Sequence, residues 1–400
     1  MLILNDDPDH GQPLEAMDAA TLSLTAAAEV ARYLSHRPHH RETPLHSLEG
    51  LARSVGVASI HMKDEGYRLG LGSFKALGGS YAVTRLVLEK AASILQRSLD
   101  IEDLQKPEVR GVAEDMIFAC ATDGNHGRSV AQGAQLTGAA AVIFLHGGVS
   151  EGRAAEIARY GARIIRVEGT YDDSVAEAAR VADREGWTVV SDTSWPGYER
   201  IPGLVMQGYT AMAREILGQI PQPPTHVFLQ AGVGGFAAAL AGYLGMALGE
   251  RRPRVIVVEP ARAACLYETA KAGKPVKIPH GEPTVMAMLE CYEPSLIAWR
   301  ILRRLADGFM TVAESDAIGV MNRLARPESG DPAIISGESG GAGLAGLLNI
   351  MSEASAMKSL GLGATSRILV INTEGATDPE KYRDLVGMTP EDVELSNTTR

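Results

Sequence analysis

The sequence predicts an α/β fold built on parallel strands, and two features of its pattern indicate this. Short apolar runs rich in valine and isoleucine, typical of strands that are covered on both faces, alternate with longer helical stretches. Most of the helical stretches are closed by a glycine, where helices commonly end. Because strand and helix alternate along the chain, we expect right-handed crossover connections and a sheet flanked by helices.

The individual elements follow in chain order. The predicted strands are MIFAC (116–120), AAVIFLH (140–146), ARIIRVEG (162–169), WTVVSD (187–192), THVFLQAG (225–232), RVIVVEP (254–260) and RILVINTEG (367–375). The predicted helices include an amphipathic one over 14–34, GNHGRSVAQGAQLTG (124–138), DDSVAEAARVADREG (172–186) and GFAAALAGYLGMALGE (235–250). A segment with two prolines and two glycines, SDTSWPGYERIPG (191–203), separates the first group of strands from the second.

Composition and charge exclude several classes of function. The chain has 400 residues, 45% of them hydrophobic, and 49 acidic against 38 basic residues give a formal charge of −11. This charge opposes binding to nucleic acid or to an anionic membrane, and no apolar run approaches the length of a bilayer span. The acidic start of the chain does not resemble a signal peptide, so we expect a cytoplasmic protein.

The sequence predicts no metal site, because neither the spacing of its three cysteines, Cys120, Cys265 and Cys291, nor that of its ten histidines matches a metal-binding motif. Whether Cys265 and Cys291 lie close enough to form a disulfide is left open by the sequence.

A glycine-rich loop, QAGVGGFAAAL (230–240), follows a strand and opens a helix, which predicts a binding site for a phosphate. Its spacing, Gly232, Gly234 and Ala237, also fits the G-x-G-x-x-A pattern of dinucleotide-binding enzymes. In such an enzyme Glu259, at the end of the next strand, would bind a ribose. The loop alone therefore leaves two enzyme classes open, as well as a purely structural tight turn.

Two further segments favour one of these classes. Lys75 in GSFKALGG stands among small and apolar residues, where an unpaired ammonium is costly and a neutral, nucleophilic amine is favoured, although a lysine that reaches solvent is the alternative. ATDGNHGRSV (121–130) is a second strand-to-helix loop and carries polar residues. Because ligands bind at the carboxyl ends of parallel strands, Lys75 and the loops 122–127 and 232–236 are expected to share one crevice. A lysine, a polar loop and a phosphate site together indicate pyridoxal phosphate.

At these residues the sequence resembles a known family. GSFKALGG and TDGNHG are similar to motifs of the fold type II pyridoxal phosphate enzymes, which include tryptophan synthase β, threonine dehydratase and serine racemase. TDGNHGR, DTSWPGYERIP, MQGYTAM, THVFLQAGVGG, ISGESGGAGL and NTEGATD together resemble the diaminopropionate ammonia-lyases more closely. The resemblance implies two open, twisted, mostly parallel sheets flanked by helices, with the active site between two domains. We expect a large cofactor-binding domain from residues 1–85 and 200–400, a smaller α/β domain from residues 86–199, and a homodimer.

The resemblance also implies a role for particular residues. Lys75 would hold the cofactor through an imine, with Phe74 beside the ring and Asn125 toward the ring hydroxyl. The remaining cofactor contacts would be Gly232, Val233, Gly234 and Gly235 on the phosphate, Thr373 on the pyridine nitrogen, and Glu338 along the ring. The substrate would be bound by Thr122, His126 and Ser339. Apart from the resemblance, Tyr171 in TYDDSVAEA (170–178) is a further candidate for the substrate pocket, in a segment whose acids otherwise indicate the start of a helix.

Two acids, Asp123 and Asp192, distinguish the sequence from hydroxyamino-acid dehydratases. Asp123 stands where serine racemase has its second base, and Asp192 ends a strand; structural roles in a loop or turn are the alternatives. A substrate with a β-amine carries an extra positive charge that nearby carboxylates would bind. The predicted function is elimination of ammonia from 2,3-diaminopropionate of both hands, giving pyruvate and ammonia through aminoacrylate. A serine or threonine dehydratase, an NAD-dependent oxidoreductase and a catalytically silent binding protein are the alternatives.

Overall fold

The computed structural model describes residues 1–38, 40–122, 124–169, 171–327 and 330–398. The strands in this part of the chain are β1 Leu2–Leu4, β2 Leu45–Ser47, β3 Ser59–Asp64, β4 Ile117–Ala121, β5 Ala140–His146, β6 Arg163–Val167, β7 Thr188–Val189, β8 His226–Gln230, β9 Arg254–Pro260, β10 Gly308–Val312 and β11 Arg367–Asn372. The helices are α1 Ala16–Thr21, α2 Leu24–Ser35, α3 Glu49–Val55, α4 Lys75–Leu95, α5 Pro107–Glu114, α6 Asn125–Thr137, α7 Glu151–Ala158, α8 Tyr171–Glu185, α9 Arg200–Gln219, α10 Gly235–Leu248, α11 Cys265–Ala272, α12 Leu296–Leu305, α13 Glu314–Ala325, α14 Ala342–Met351, α15 Ala354–Leu360, α16 Pro379–Val386 and α17 Pro390–Thr398.

The predicted α/β class is confirmed, and all seven predicted strands are present, as β4 to β9 and β11. The sequence pattern does not reveal β1, β2, β3 or β10. β1 and β2 have only three residues each, and β3 ends in two charged residues that are nevertheless buried, Lys63 and Asp64. Lys63 is paired with Glu215 at 2.7 Å and Asp64 accepts a hydrogen bond from Asn372, so these charges are compensated inside the protein.

The described chain forms two compact units. Unit 1 comprises Met1–Leu24, Glu42–Ser73 and Met212–Arg400, and its sheet has the strand order β1-β10-β9-β8-β11-β3-β2. The five central strands are parallel, whereas β1 and β2 pair antiparallel at the two edges. The apolar core includes Ile60, Phe228, Val258, Leu344 and Ile368. This arrangement brings the carboxyl ends of β8 and β11, and the loops that follow them, to one edge of the sheet.

Unit 2 comprises Thr25–Arg41 and Phe74–Ala211, and its parallel sheet has the strand order β6-β5-β4-β7. The domain boundary expected at residues 85 and 86 falls inside α4, and the structure groups the whole of that helix with unit 2. The reason is close packing of α4 on α6 at small residues. A Cβ built on Gly79 would lie 2.8 Å from the Ser129 hydroxyl, and one on Gly133 would lie 2.8 Å from the Cα of Ser80.

The prediction of one continuous helix over residues 14–34 is wrong. The structure has two helices there, α1 and α2, with a break at Leu22 and Ser23. Leu22 is fully buried, and a Cβ built on Gly242 would lie 2.4 Å from its Cδ1 atom, so this leucine packs directly on α10. Tyr33 of α2 instead donates a hydrogen bond to Ser80 of α4. The break therefore separates a helix that belongs to unit 1 from one that belongs mostly to unit 2.

Candidate active site

Lys75 and Asp192 form an ion pair in unit 2. Lys75 is the first residue of α4, and Asp192 lies in the loop that follows β7. The lysine amine donates a hydrogen bond to the Asp192 carboxylate, and the two side chains are 21% and 16% exposed. From the sequence we expected an unpaired amine that loses its proton on burial. The structure corrects this expectation, because a carboxylate 117 residues away along the chain compensates the ammonium.

The charge of Asp192 is maintained by this pair. Burial by itself would raise the pKa of the carboxyl group, but the Lys75 ammonium holds the pKa of Asp192 well below its usual range. Asp192 is therefore a carboxylate throughout the neutral pH range. A half-buried carboxylate of this kind can bind a second cation whenever the lysine amine is engaged elsewhere.

His126 contributes a neutral imidazole close to this pair. The ring is buried, and its Nε2 atom lies 2.9 Å from the carbonyl oxygen of Val190, so Nε2 carries the proton and donates it. Burial lowers the pKa of His126, which keeps the ring uncharged at neutral pH. Among the described residues, nothing hydrogen-bonds to its Nδ1 atom. Nδ1 is therefore a hydrogen-bond acceptor of the candidate site.

The loop that precedes α6 is organised by Thr122. Its hydroxyl oxygen accepts hydrogen bonds from the backbone N–H groups of Gly124 (3.1 Å) and Gly127 (3.2 Å). A Cβ built on Gly127 would lie 2.3 Å from the Thr122 methyl group, so the turn requires a glycine there. Asn125 is buried at the first position of α6. Asp123 lies outside the described residues, and its assignment as a base stays a prediction.

Phe74 and Tyr209 form the aromatic side of the Lys75 environment. Their ring centroids are 4.9 Å apart with planes inclined by 59°, and the Lys75 amine lies 5.7 Å from the centroid of Phe74. Tyr209 is buried, which raises the pKa of its phenol, and its hydroxyl has no hydrogen-bond partner in the part of the chain that the structure describes. Tyr209 was not predicted as a site residue. The available signal was the one aromatic residue in the motif MQGYTAM of α9.

The predicted phosphate loop lies in unit 1, between β8 and the N-terminus of α10. Gly234 has a φ angle of +96°, which a residue with a side chain rarely adopts. A Cβ built on Gly234 would also lie 2.9 Å from Leu266 and 3.0 Å from the Cβ of Ala298. The carbonyl of Val233 accepts a hydrogen bond from the backbone N–H of Ser295 (3.0 Å). Backbone groups thus hold the loop in a shape suited to an anion.

The residues around the loop answer two questions that the sequence left open. Glu259 accepts hydrogen bonds from the backbone N–H groups of Leu266 (2.8 Å) and Tyr267 (2.6 Å) at the start of α11, and it is fully buried. Both of its oxygens are used in this way, so the interpretation of Glu259 as a ribose-binding acid is wrong. Cys265 and Cys291 both lie beside Gly232, and in the described structure neither is part of a disulfide.

Gln230, the last residue of β8, connects this loop to Thr373. Its amide nitrogen lies 2.6 Å from the carbonyl of Gly340, 3.0 Å from that of Ile371 and 3.0 Å from the Thr373 hydroxyl oxygen. Two carbonyl oxygens at this distance identify the atom as the donating nitrogen. When Thr373 accepts from Gln230, its own hydroxyl proton is left to donate to another group. The sequence analysis missed Gln230, whose signal was a polar residue that ends an apolar strand.

Glu338 and Ser339 belong to the loop before α14 in unit 1. The Glu338 carboxylate is buried and accepts a hydrogen bond from the Lys381 amine at 2.9 Å. The Ser339 hydroxyl accepts one from the backbone N–H of Met288 at 3.2 Å. The structure therefore groups Glu338, Ser339, Thr373 and the glycine loop in unit 1. Lys75, Phe74, Thr122, Asn125, His126 and Asp192 belong to unit 2.

Tyr171 is the first residue of α8 and is partly exposed, and its carbonyl accepts a hydrogen bond from the Ser174 hydroxyl (2.7 Å). Its place in a substrate pocket stays a prediction.

Within the described ranges, no helix combines the length and the apolar character that crossing a membrane requires. The same ranges contain no group of three or more histidine, cysteine, aspartate or glutamate side chains arranged to hold a metal ion.

Comparison with known proteins extends the likeness to nearly the whole chain. A family model described as "Pyridoxal-phosphate dependent enzyme" matches residues 36–374. The diaminopropionate ammonia-lyase of Salmonella typhimurium is 41% identical over 380 residues, which cover 92% of this chain and 94% of that protein.

Two crystal structures of the Escherichia coli diaminopropionate ammonia-lyase are similar to this fold. One contains an aminoacrylate-PLP azomethine reaction intermediate and the other D-serine. Both superpose with a TM-score of 0.87 over 96% of this chain and 97% of theirs, at 38% and 37% identity respectively. A likeness of this extent supports transferring the reaction class as well as the fold.

Proposed function

Because the chain belongs to the family of pyridoxal-phosphate dependent enzymes, we propose that it removes ammonia from 2,3-diaminopropionate by α,β-elimination. Its cofactor is pyridoxal 5′-phosphate, and it is a lyase that breaks a carbon–nitrogen bond. Hydrolysis of the unsaturated amine that elimination leaves would give pyruvate and a second ammonia. Such a reaction is a step of amino-acid degradation.

The ion pair between Lys75 and Asp192 is the observation that carries the choice of substrate. A carboxylate next to the reactive lysine is of little use for a substrate with a neutral β-hydroxyl. It is useful for a substrate with a β-ammonium, which can take the place of the lysine ammonium beside Asp192. The high identity to diaminopropionate ammonia-lyases supports the same substrate.

The residues of each unit suit the groups of pyridoxal phosphate. The glycine loop presents backbone N–H groups and the start of a 14-residue helix, which fits a phosphate, and Gly232, Gly234 and Gly235 have no side chain to obstruct one. The hydroxyl of Thr373, which accepts from Gln230, has a proton to offer to a pyridine nitrogen. Lys75 has a primary amine for the aldehyde, and Phe74 offers an aromatic surface beside it. We therefore assign these residues to the cofactor.

When bound, pyridoxal phosphate supplies an electron sink that stabilises negative charge at the α-carbon of an amino acid. Lys75 holds the cofactor between turnovers, and its Nζ atom accepts the α-proton of the L-substrate. Asp192 binds the β-ammonium and orients it for departure as neutral ammonia. His126 and Asn125 belong to the loop that takes the substrate carboxylate; the unprotonated Nδ1 atom of His126 can accept a hydrogen bond only from an N–H or O–H group of a bound ligand, not from the carboxylate.

We further propose that the enzyme accepts both isomers of the substrate. The α-protons of the two isomers lie on opposite faces of a bound substrate whose carboxylate is fixed, so one base does not serve both. Asp123 is the candidate base for the D-isomer. A solved complex of the E. coli relative with D-serine supports access of D-amino acids to this type of site.

The test is release of pyruvate from a panel of β-substituted amino acids of both hands, including diaminopropionate and serine, by the wild type and by Asp123→Asn. We expect diaminopropionate to be the preferred substrate. Asp123→Asn should lower turnover of its D-isomer by about 10²–10⁴-fold, with most activity on the L-isomer retained. Equal turnover of serine and diaminopropionate would favour a dehydratase. Equal loss of activity on both isomers would contradict the assignment of Asp123.

The assembly and the cellular location are also proposed. We propose a homodimer, because Met17 and Leu24, at 59% and 50% exposure, place apolar side chains on the surface near the start of the chain. The small number of cysteines, three in 400 residues and too few for a disulfide framework, supports a cytoplasmic location. Sedimentation of the purified protein and fractionation of cells that express it are the respective checks.

A further inference from the structure

The amino-terminal residues make an extensive set of contacts with one helix of unit 1, α12. We call residues 5–18 the amino-terminal clamp. Asp18 is buried and forms two hydrogen bonds of 2.8 Å with the Arg300 guanidinium, while Asp7 binds Arg303 through both of its oxygens at 3.0 to 3.1 Å. Arg304 lies 3.3 Å from both Asp9 and Glu15. Bidentate pairs between arginine and a nearly buried carboxylate are among the stronger ionic contacts in proteins.

The same segment also completes the hydrogen bonds at the carboxyl end of α12. The Asn5 side-chain amide donates to the carbonyls of Arg303 (2.9 Å) and Ala306 (2.7 Å), and the backbone N–H of Gly11 donates to the carbonyl of Arg304 (2.8 Å). The last carbonyls of a helix have no partner within it. The clamp therefore supplies both charge pairing and the carboxyl-terminal cap of this helix.

The opposite end and face of α12 contact the phosphate loop, which is the part of the glycine loop formed by residues 232–235. Its N-cap residue, Ser295, donates a backbone hydrogen bond to the carbonyl of Val233. Its apolar stripe includes Ala298 and Leu302, and a Cβ built on Gly234 would lie 3.0 and 3.4 Å from these side chains. One ten-residue helix thus contacts the clamp with its basic face and the phosphate loop with its apolar face.

We propose that the amino-terminal clamp positions the phosphate loop through α12 and thereby sets the affinity of the enzyme for pyridoxal phosphate. The hydrogen bonds and ion pairs of the clamp described above go to α12, whereas its Leu14 lies near Gly242 of α10, so substitutions at Asp7 and Asn5 test the route through α12. Weakening it releases α12 and costs the loop its Ser295 hydrogen bond and its packing on Ala298. The inference rests on the proposed assignment of residues 232–235 to the phosphate.

The test compares the wild-type holoenzyme with Asp7→Asn, which removes one charge from the clamp. Asp392→Asn is the matched control, because it makes the same change at another helix of unit 1, where Asp392 accepts the backbone N–H of Thr389. The equilibrium affinity for pyridoxal phosphate is measured by dialysis of each holoenzyme, with the visible absorbance of the bound cofactor as the signal. We expect Asp7→Asn to weaken binding by about five- to fiftyfold, a usual size for coupling between linked sites. The control keeps wild-type affinity.

A second readout reports directly on the contact between α12 and the loop. Hydrogen exchange at the backbone N–H of Ser295 should become faster in Asp7→Asn and should stay at the wild-type rate in Asp392→Asn. Asn5→Ser, a milder change that removes the two side-chain hydrogen bonds of Asn5 from the carboxyl-terminal cap without altering charge, should show the same two effects if Asp7→Asn does not fold.

The outcomes separate this inference from the proposed function. Unchanged cofactor affinity in the clamp variants, even with a lower unfolding temperature, would overturn it, because the clamp would then only stabilise the fold. Equal losses in Asp392→Asn would overturn it as well. If the wild-type protein itself showed no saturable binding of pyridoxal phosphate, the cofactor assignment would fail, and this inference with it.

Discussion

The candidate site residues of the two units differ in how their functional atoms are held. In unit 2 the groups are charged or titratable side chains: the ion pair of Lys75 and Asp192 with the neutral imidazole of His126. In unit 1 they are backbone N–H groups of the glycine loop, the hydroxyls of Ser339 and Thr373, and the Glu338 carboxylate, which is paired with Lys381. The first set can exchange protons and bind a cation, whereas the second, whose carboxylate is already paired, holds a ligand in place. We therefore expect substitutions in unit 2 to change turnover and those in unit 1 to change cofactor binding.

Replacing Lys75 should have the largest effect. Lys75→Ala is expected to lower steady-state turnover by at least about 10⁴-fold, because one amine serves both as the anchor of the cofactor and as a base. The variant should retain the wild-type far-ultraviolet circular dichroism, since Asp192, left without its partner, is partly exposed to solvent. Pyruvate release measured with saturating cofactor is the check. A rate close to that of the wild type would remove Lys75 from the mechanism.

Neutralising Asp192 should have a smaller effect that depends on the substrate. Asp192→Asn is expected to lower kcat/KM for diaminopropionate by about 10- to 100-fold, the loss of one charge-assisted hydrogen bond. Serine has no β-ammonium, so its turnover should change less. Rates for both substrates, measured side by side, test the difference.

A matched control for Asp192→Asn is available in the same unit. Asp103 is paired with Lys106 at 2.6 Å, and the hydrogen bond from that lysine lowers the pKa of Asp103 to about 2. Asp103→Asn therefore removes a comparable charge in unit 2 without touching the candidate site, and it should leave both rates unchanged. Equal losses for the two substrates in Asp192→Asn would show that Asp192 is a structural residue of the turn.

Replacing Gln230 should have the smallest effect on turnover. Gln230→Met keeps the approximate size of the side chain but removes its hydrogen bonds, and we expect about tenfold weaker binding of pyridoxal phosphate with little change in kcat at saturation. Gln207→Met is the control, since Gln207 is also buried and donates to a backbone carbonyl, that of Ala26. Cofactor affinity is measured for both variants by dialysis.

A double-mutant cycle shows whether Gln230 acts through Thr373. In a Thr373→Val background, Gln230→Met should cause little further loss of cofactor affinity. If the two losses simply added, Gln230 would act independently of Thr373, through its hydrogen bonds to the carbonyls of Gly340 and Ile371.

Much of the fold was predictable because it rests on local patterns. The strands β5 and β9 match the predicted ranges 140–146 and 254–260 residue for residue, since buried parallel strands are uninterrupted apolar runs. Lys75 and the glycine loop were identified because their chemistry departs from their surroundings. The strand β3 was missed because its buried charges are compensated by residues such as Glu215, which lies far away in the sequence.

The relations between site residues were less predictable than the residues themselves. Asp192 was a candidate, but its pairing with Lys75 spans 117 residues and depends on how β7 and α4 meet. Gln230 and Tyr209 look like ordinary polar residues at the edge of apolar runs, and only their neighbours in space give them a role. The residues 5–18 have no motif at all, and their link to α12 depends on tertiary packing.

The position of β11 bears on the biosynthesis of the protein. It is the last strand in the described chain, yet it lies in the middle of the unit 1 sheet, parallel to β8 on one side and to β3 on the other. Until residue 372 has left the ribosome, the strands made earlier can form only two partial sheets, with β8 and β3 as unpaired edges. Unpaired edges of apolar strands are sites of aggregation. Unit 2, whose four strands lie within residues 117–189, can complete its sheet long before, so the nascent chain carries one finished sheet and one open sheet for nearly half of its translation.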